Sequence, residues 1–193
     1  MRRSTKNSLQ IYLSPKKGNN HDPQTILDHW FSPETQPWWF AKSDAFDADI
    51  RARFADIWRQ AAAGELSYWR ETTRGRLAEI IVLDQYSRNL HRGSPLAFAQ
   101  DGMALILAQE IQRQSDFADL SPTERQFPLL PLMHSESAAI HAAAVDTFVR
   151  YTKPHVVEFE RKHKAIIDRF GRYPHRNAIL GRDGNAEKIA SCN

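Results

Sequence analysis

Arg76-Leu77-Ala78-Glu79-Ile80-Ile81-Val82-Leu83-Asp84-Gln85 is a strongly apolar run, and its pattern predicts a helix buried at the centre of the fold. Leu77, Ile81, Asp84 and Arg88 fall at offsets 0, 4, 7 and 11, which is one stripe of a helix. A carboxylate and a guanidinium therefore continue the buried face, where each needs the other or a ligand, because an unpaired buried charge is costly. The pair reads equally as an internal brace at i and i+4 or as part of a site.

Working outward from this run, the pattern is helix after helix joined by short turns. Asp22-Pro23 pairs a good N-cap with a proline suited to a first helical position, and Ile26, Leu27, Trp30 and Phe31 follow at helical spacing. Pro37-Trp38-Trp39-Phe40 is an aromatic loop expected to plug a core edge. Ser43-Asp44 opens an amphipathic helix through Phe46, Ile50, Phe54, Ile57 and Trp58 that stops near Gly64. Beyond the central run, Gly93-Ser94-Pro95 predicts a helix carrying Phe98 and Met103 to about Gln114, and Ser121-Pro122-Thr123-Glu124 is a capping box in register. A helix from about Ser135 to Tyr151 follows, and a last one after Lys153-Pro154 aligns Val156, Phe159, His163, Ile166, Ile167 and Phe170. No strand pair is visible, so the expectation is an all-α stack of about seven to nine helices, one domain over residues 23–193.

Composition narrows the function classes. The net charge is +3 with both signs interspersed, which gives no nucleic-acid footprint, and no apolar run approaches the roughly 20 residues of a membrane span. The single cysteine, Cys192, excludes an internal disulfide framework and makes a cytoplasmic location the default expectation. Residues 1–22 are basic until the last two positions, lack the apolar core of a secretory signal, and read as a disordered extension.

Two polar corners carry the candidate chemistry. Arg169-Phe170-Gly171-Arg172-Tyr173-Pro174-His175-Arg176-Asn177, followed by Gly181-Arg182, gathers arginines beyond a helix broken by Gly171 and Pro174. Asp84 to Asn89 ends the central helix on an Arg-Asn pair. Arg88, Asn89, Arg172, Arg176, Asn177 and Arg182 are planar or amide donors suited to bidentate binding of phosphate or carboxylate, or equally to capping helix ends. Candidates for catalysis are Asp84, His134, Glu136, His163 and His175. A metal site at His134, Glu136 and His141 is disfavoured, because a regular helix starting near Ser135 sends Glu136 and His141 to different faces. No Gly-rich phosphate loop, nucleophile elbow or paired-cysteine zinc site is present, so no cofactor is called for.

These motifs resemble the largely bacterial family known as domain of unknown function 924. The matching residues are Ile26-Leu27-Asp28 with Trp30-Phe31, Trp39-Phe40, Phe46-Asp47, Gly64-Glu65-Leu66 with Trp69, Leu83-Asp84-Gln85 with Arg88-Asn89, Arg92-Gly93, Phe98-Ala99 with Asp101, His134-Ser135-Glu136, and Phe170 to Asn177 with Leu180-Gly181-Arg182. The resemblance implies a superhelical, tetratricopeptide-like (TPR-like) all-α domain and brings no established reaction. Two departures are visible: Asp183-Gly184-Asn185 stands where the family pattern has Ser-Thr, and His29 and His141 stand where Phe and Gln are implied and are left out of the site.

Two functions follow as expectations. One is a concave pocket of Asp84, Arg88, Asn89, His134, Glu136, Arg172, His175, Arg176 and Asn177 that binds, and acts on, a small anionic molecule. The other is a TPR-like module for a peptide or protein partner, with the polar residues serving as braces.

Overall fold

The computed structural model describes residues 21–183, and the calls made on the basic opening segment, on Cys192 and on the stretch from Gly184 lie outside them. Among the described residues every regular element is helical. The α-helical segments are α1 (Pro23–Trp30), α2 (Asp44–Ala62), α3 (Thr73–Ile80), α4 (Ser87–Leu90), α5 (Asp101–Ile111), α6 (Pro122–Gln126), α7 (Leu130–Met133), α8 (Ala138–Tyr151) and α9 (Pro154–Phe170). A π-helical segment, Ile81–Tyr86, joins α3 to α4 without a gap, and a 3₁₀ turn, Phe127–Leu129, joins α6 to α7, so the described residues form seven continuous helices. No helix among them is long and apolar enough to cross a membrane.

Local chemistry explains the boundaries. The Asp22, Ser43, Thr72 and Ser137 side chains each accept a backbone N–H in the first turn of α1, α2, α3 and α8, and Ser121 with Glu124 forms the complete capping box of α6. Gly171 closes α9 at φ 67°, a left-handed conformation that glycine adopts without steric cost. One residue ahead of the Asp22 cap, the His21 carbonyl accepts the Trp69 indole N–H at 2.8 Å and the Tyr68 hydroxyl at 3.1 Å.

The apolar run lies where its composition requires. Leu77, Ile80, Ile81, Val82 and Leu83 are fully buried, in a hydrophobic cluster that extends from Ile26 on α1 to Val157 on α9. The π segment was not foreseen. Its wider turn takes an extra residue, and all six side chains from Ile81 to Tyr86 are buried. Asp84 and Tyr86 thereby serve different neighbours: Asp84 meets His134 beyond α7, and Tyr86 meets His29 on α1.

Four local expectations are corrected. The helix expected from Gly93 is divided, because Ser94 and Pro95 start a 3₁₀ turn (Pro95–Ala97) and α5 begins only at Asp101. The helix expected from Ser135 starts at Ala138, because Ser137 takes the Ile140 N–H, which leaves His134, Ser135 and Glu136 in a connection. Of the aromatic loop only Trp39 plugs the core, bonding the Trp30 carbonyl at 2.8 Å and stacking on Trp30, whereas Phe40 is 73% exposed and Trp38 40%. On α9, Phe159 is 52% exposed, because the buried arc runs through Val156, Val157 and Glu160.

Candidate functional site

The π segment delivers Asp84, with no exposed surface, to the base of a polar network. Its Oδ1 receives His134 Nδ1 at 2.7 Å and stands 3.0 Å from Arg88 Nη1, while the Gln85 amide donates to Oδ2 at 2.5 Å. Burial alone would push this carboxyl up. Arg88 and His134 more than offset it and hold Asp84 well below the usual carboxylate range.

Arg88 joins Asp84 to Asp101. Its Nη1 also donates to the Asp84 carbonyl at 2.8 Å and faces Asp101 Oδ1 at 3.0 Å, and its Nη2 donates to Asp101 Oδ2 at 3.2 Å. From the other corner Arg176, buried, donates to the same Asp101 Oδ2 at 3.1 Å and to the His134 carbonyl at 3.1 Å. Its guanidinium lies 4.5 Å from the Phe98 ring centre and 4.6 Å from that of Tyr173, close enough for cation–π attraction. The two Arg corners therefore converge on one carboxylate.

Glu136, in the connection between α7 and α8, accepts the Tyr173 backbone N–H at 2.8 Å and Arg182 Nη1 at 2.7 Å. Burial raises its carboxyl, but these two donors and the Arg176 charge hold it below its ordinary value. Beside this network opens a cleft of about 330 Å³ lined on its polar side by Asp101, His134, Ser135, Glu136, Arg176 and Arg182. Its apolar side is Pro95, Phe98, Leu105 and Leu180. Its volume lies near the lower end of the range of small-molecule clefts, and clefts of about 570, 500 and 460 Å³ open elsewhere among the described residues.

The structure thus brings together Asp84, Arg88, His134, Glu136, Arg176 and Arg182 from the expected set. It does not bring in the others. Asn89 points away and donates to Asp47 Oδ1 at 2.8 Å, where Arg92 also binds Asp47 at 2.7 Å, so this asparagine braces the start of α2. Arg172 donates to the Asp183 carbonyl at 3.2 Å. Asn177 is buried, its backbone carbonyl accepting the Arg182 N–H at 2.9 Å. His163 Nδ1 donates to the Phe159 carbonyl of its own helix at 2.7 Å, and burial lowers its pKa to about 4. His175 is exposed beside Tyr173, and partial desolvation and then the Arg176 charge lower its pKa.

The three residues of the disfavoured metal reading point apart: His141 engages Glu160, Glu136 engages Tyr173 and Arg182, and His134 engages Asp84. No group of three or more metal-ligating side chains occurs among the described residues.

A family model described as a bacterial protein of unknown function (DUF924) matches residues 26–191. The chain belongs to this family. A solved structure of a protein of unknown function from Agrobacterium tumefaciens is 34% identical, covers 85% of this chain and 92% of its own, and superposes with a TM-score of 0.80. No curated protein matches the chain. The DUF924 match spans every residue of the network, and the solved neighbour supports the all-α fold that holds it.

For this DUF924 chain, sequence reasoning left three participants out of the pocket. Asp101, on which both arginines close, stood inside an expected helix instead of at the start of α5. Phe98, which with Tyr173 flanks the Arg176 guanidinium, was placed on that expected helix, and Tyr173 was quoted within the arginine corner without a role. The motif Phe98-Ala99 with Asp101 was the available signal.

Proposed function

We propose that the cleft binds a small anionic molecule and that His134 serves it as a general base. The observation that carries this reading is the Asp84–His134 contact at the cleft wall. An ionised carboxylate only accepts, so the proton of a neutral His134 sits on Nδ1 and the Nε2 lone pair is left for a ligand. Nε2 has no hydrogen-bond partner among the described residues. This is the arrangement in which a buried acid fixes the tautomer of a catalytic imidazole.

Charge balance defines where the anion goes. Three carboxylates, Asp84, Asp101 and Glu136, face three guanidiniums, Arg88, Arg176 and Arg182, so the inner network neutralises itself. Arg182 sits at the rim with its side chain 35% exposed, and its N–H groups beyond the one on Glu136 suit a ligand carboxylate or phosphate oxygen. The apolar wall of Phe98, Leu105 and Leu180 takes the body of the ligand, and His134 Nε2 removes a proton from it or from a water molecule held beside it.

The test is a thermal-shift screen of wild type and Arg182→Ala against carboxylates, phosphate monoesters and a peptide pool. A ligand at 100 times its Kd stabilises by about 2.7 kcal/mol, and a domain this size then melts about 5–10 °C higher. A shift with one anion class in wild type that is absent in Arg182→Ala supports the reading, and no shift with any anion refutes it. The TPR-like, partner-binding reading has one observation in its favour, the exposed rings of Trp38 and Phe40, and the peptide pool addresses it.

A further inference from the structure

His141 and Glu160 have no exposed surface and play no part in the cleft described above. His141 Nδ1 lies 2.6 Å from Glu160 Oε1, and His141 Nε2 lies 2.9 Å from the Ser135 carbonyl. Ser135 stands between His134 and Glu136. A carbonyl oxygen cannot donate, so Nε2 carries a proton in this arrangement, and a second proton lies between Nδ1 and the carboxylate. Glu160 Oε2 is buried without a partner among the described residues, so the carboxylate relies on its contact with His141.

We propose that His141 and Glu160 are a positioning pair for the candidate site, their shared proton allowing the imidazole to donate to the Ser135 carbonyl and so fix the connection that carries His134 and Glu136. The inference rests on the reading of the cleft as functional, since it is that connection which supplies the base and the Arg182 partner.

The chemistry of release is asymmetric. When the shared proton leaves, the ring keeps one hydrogen. The carboxylate at 2.6 Å is the stronger acceptor and retains it on Nδ1, so the Nε2 lone pair turns against the Ser135 carbonyl lone pairs and the clamp opens.

The groups that face the pair are Asp168 and His163 from α9 and Tyr173 beyond it, while His134 and Glu136 stand on either side of Ser135 in the connection itself. Burial pulls the imidazole down, and Glu160 with its hydrogen bond and charge more than compensates, so the His141 pKa is raised from its ordinary value. The clamp is therefore closed at low pH and opens as pH rises through this elevated value.

The reporter is the Tyr173 amide, which donates to Glu136 and so reads the connection without any ligand. Its hydrogen-exchange protection is measured in the full chain from about pH 6, below the ordinary histidine pKa, upward to about pH 9. Wild type is expected to lose protection about tenfold across that range. His141→Gln, whose amide donates without titrating, and Glu160→Gln are both expected to flatten the profile.

Val157→Ala, which removes only buried α9 packing, should lower overall stability and keep the pH step. A wild-type profile with no step overturns the proposal, and so does an unchanged step in either glutamine variant. Should both glutamine variants fail to fold, the wild-type and Val157→Ala profiles decide it. Absence of any ligand in the thermal-shift screen refutes the anion-binding reading and leaves this profile as it is, so the two failures are told apart.

Discussion

Replacing Arg88 by methionine should cost far more than the loss of a surface ion pair. The guanidinium bonds the Asp84 carbonyl, faces the Asp84 carboxylate at 3.0 Å and closes on both oxygens of Asp101. The Asp84 side chain is only 1% exposed, so removing the cation leaves a carboxylate with His134 and Gln85 as its remaining partners and no water. Breaking one side of such a buried pair costs about 3–5 kcal/mol, against about 0–1 kcal/mol for a solvated pair. At about 2–4 °C per kcal/mol for a protein of this size, the melting temperature should fall on the order of 10 °C.

The assay is urea unfolding followed by fluorescence of the five tryptophans, on wild type, Arg88→Met, Asp84→Asn and the double variant. In the double variant no uncompensated charge is buried, so its cost should be smaller than the sum of the single costs by at least about 1.5 kcal/mol. The pH dependence has a definite sign. Asp84 is held below its unfolded value, so its contribution in wild type is complete above the ordinary carboxylate range and is lost as pH falls below it. In Arg88→Met burial dominates and the contribution reverses, so the difference between the two proteins should narrow on acidification. A cost below about 1 kcal/mol, or additive single costs, would refute the reading of this pair as buried and coupled.

Other consequences are open to the same kind of assay. Gly75→Ala should destabilise by about 2–3 kcal/mol although alanine is the better helix former, because its Cβ would sit 1.9 Å from the Trp69 carbonyl oxygen, whereas Gly102→Ala meets nothing within 4 Å and should stabilise by about 0.5–1 kcal/mol. Urea midpoints of both variants check the opposite signs. His163 is neutral in the fold with a pKa of about 4, so the unfolded chain takes up the proton first and stability falls as pH drops from about 6.5 toward 4. His163→Gln should remove on the order of 2 kcal/mol of that acid dependence, measured as the change in unfolding free energy between the two pH values.

The parts of the fold legible in the sequence are those set by short-range chemistry. The Asp22, Ser43 and Ser121 caps, the Gly171 stop and the buried stripe from Leu77 to Arg88 all follow from neighbours within one or two turns. The π segment was invisible, because an extra residue per turn leaves no mark in the spacing of an already apolar run. It also decides which way Asp84 and Tyr86 look. The start of α8 was misplaced because Ser135 and Ser137 are both credible caps, and only packing selects between them.

The candidate site was legible as a set of residue types and not as a geometry. Arg88 and Arg176 meet although 88 residues separate them, which no local pattern shows, and they meet on Asp101, hidden by a helix drawn through the turn at Phe98 to Gln100. Asn89 and Arg172 have the same chemistry as the residues that converge. Asn89 is spent on Asp47, and Arg172 on the Asp183 carbonyl.

The claim that carries the account is that buried Asp84 fixes a proton on His134 Nδ1, so that Nε2 is the ring nitrogen left for a ligand. Nitrogen-15 spectra of the histidine rings in wild type and Asp84→Asn, recorded at neutral pH, test it directly. The account predicts that His134 in wild type is a single tautomer with the proton on Nδ1 and a bare Nε2, and that Asp84→Asn loses this preference. A proton resident on Nε2 in wild type, or the same tautomer mixture in both proteins, would contradict it.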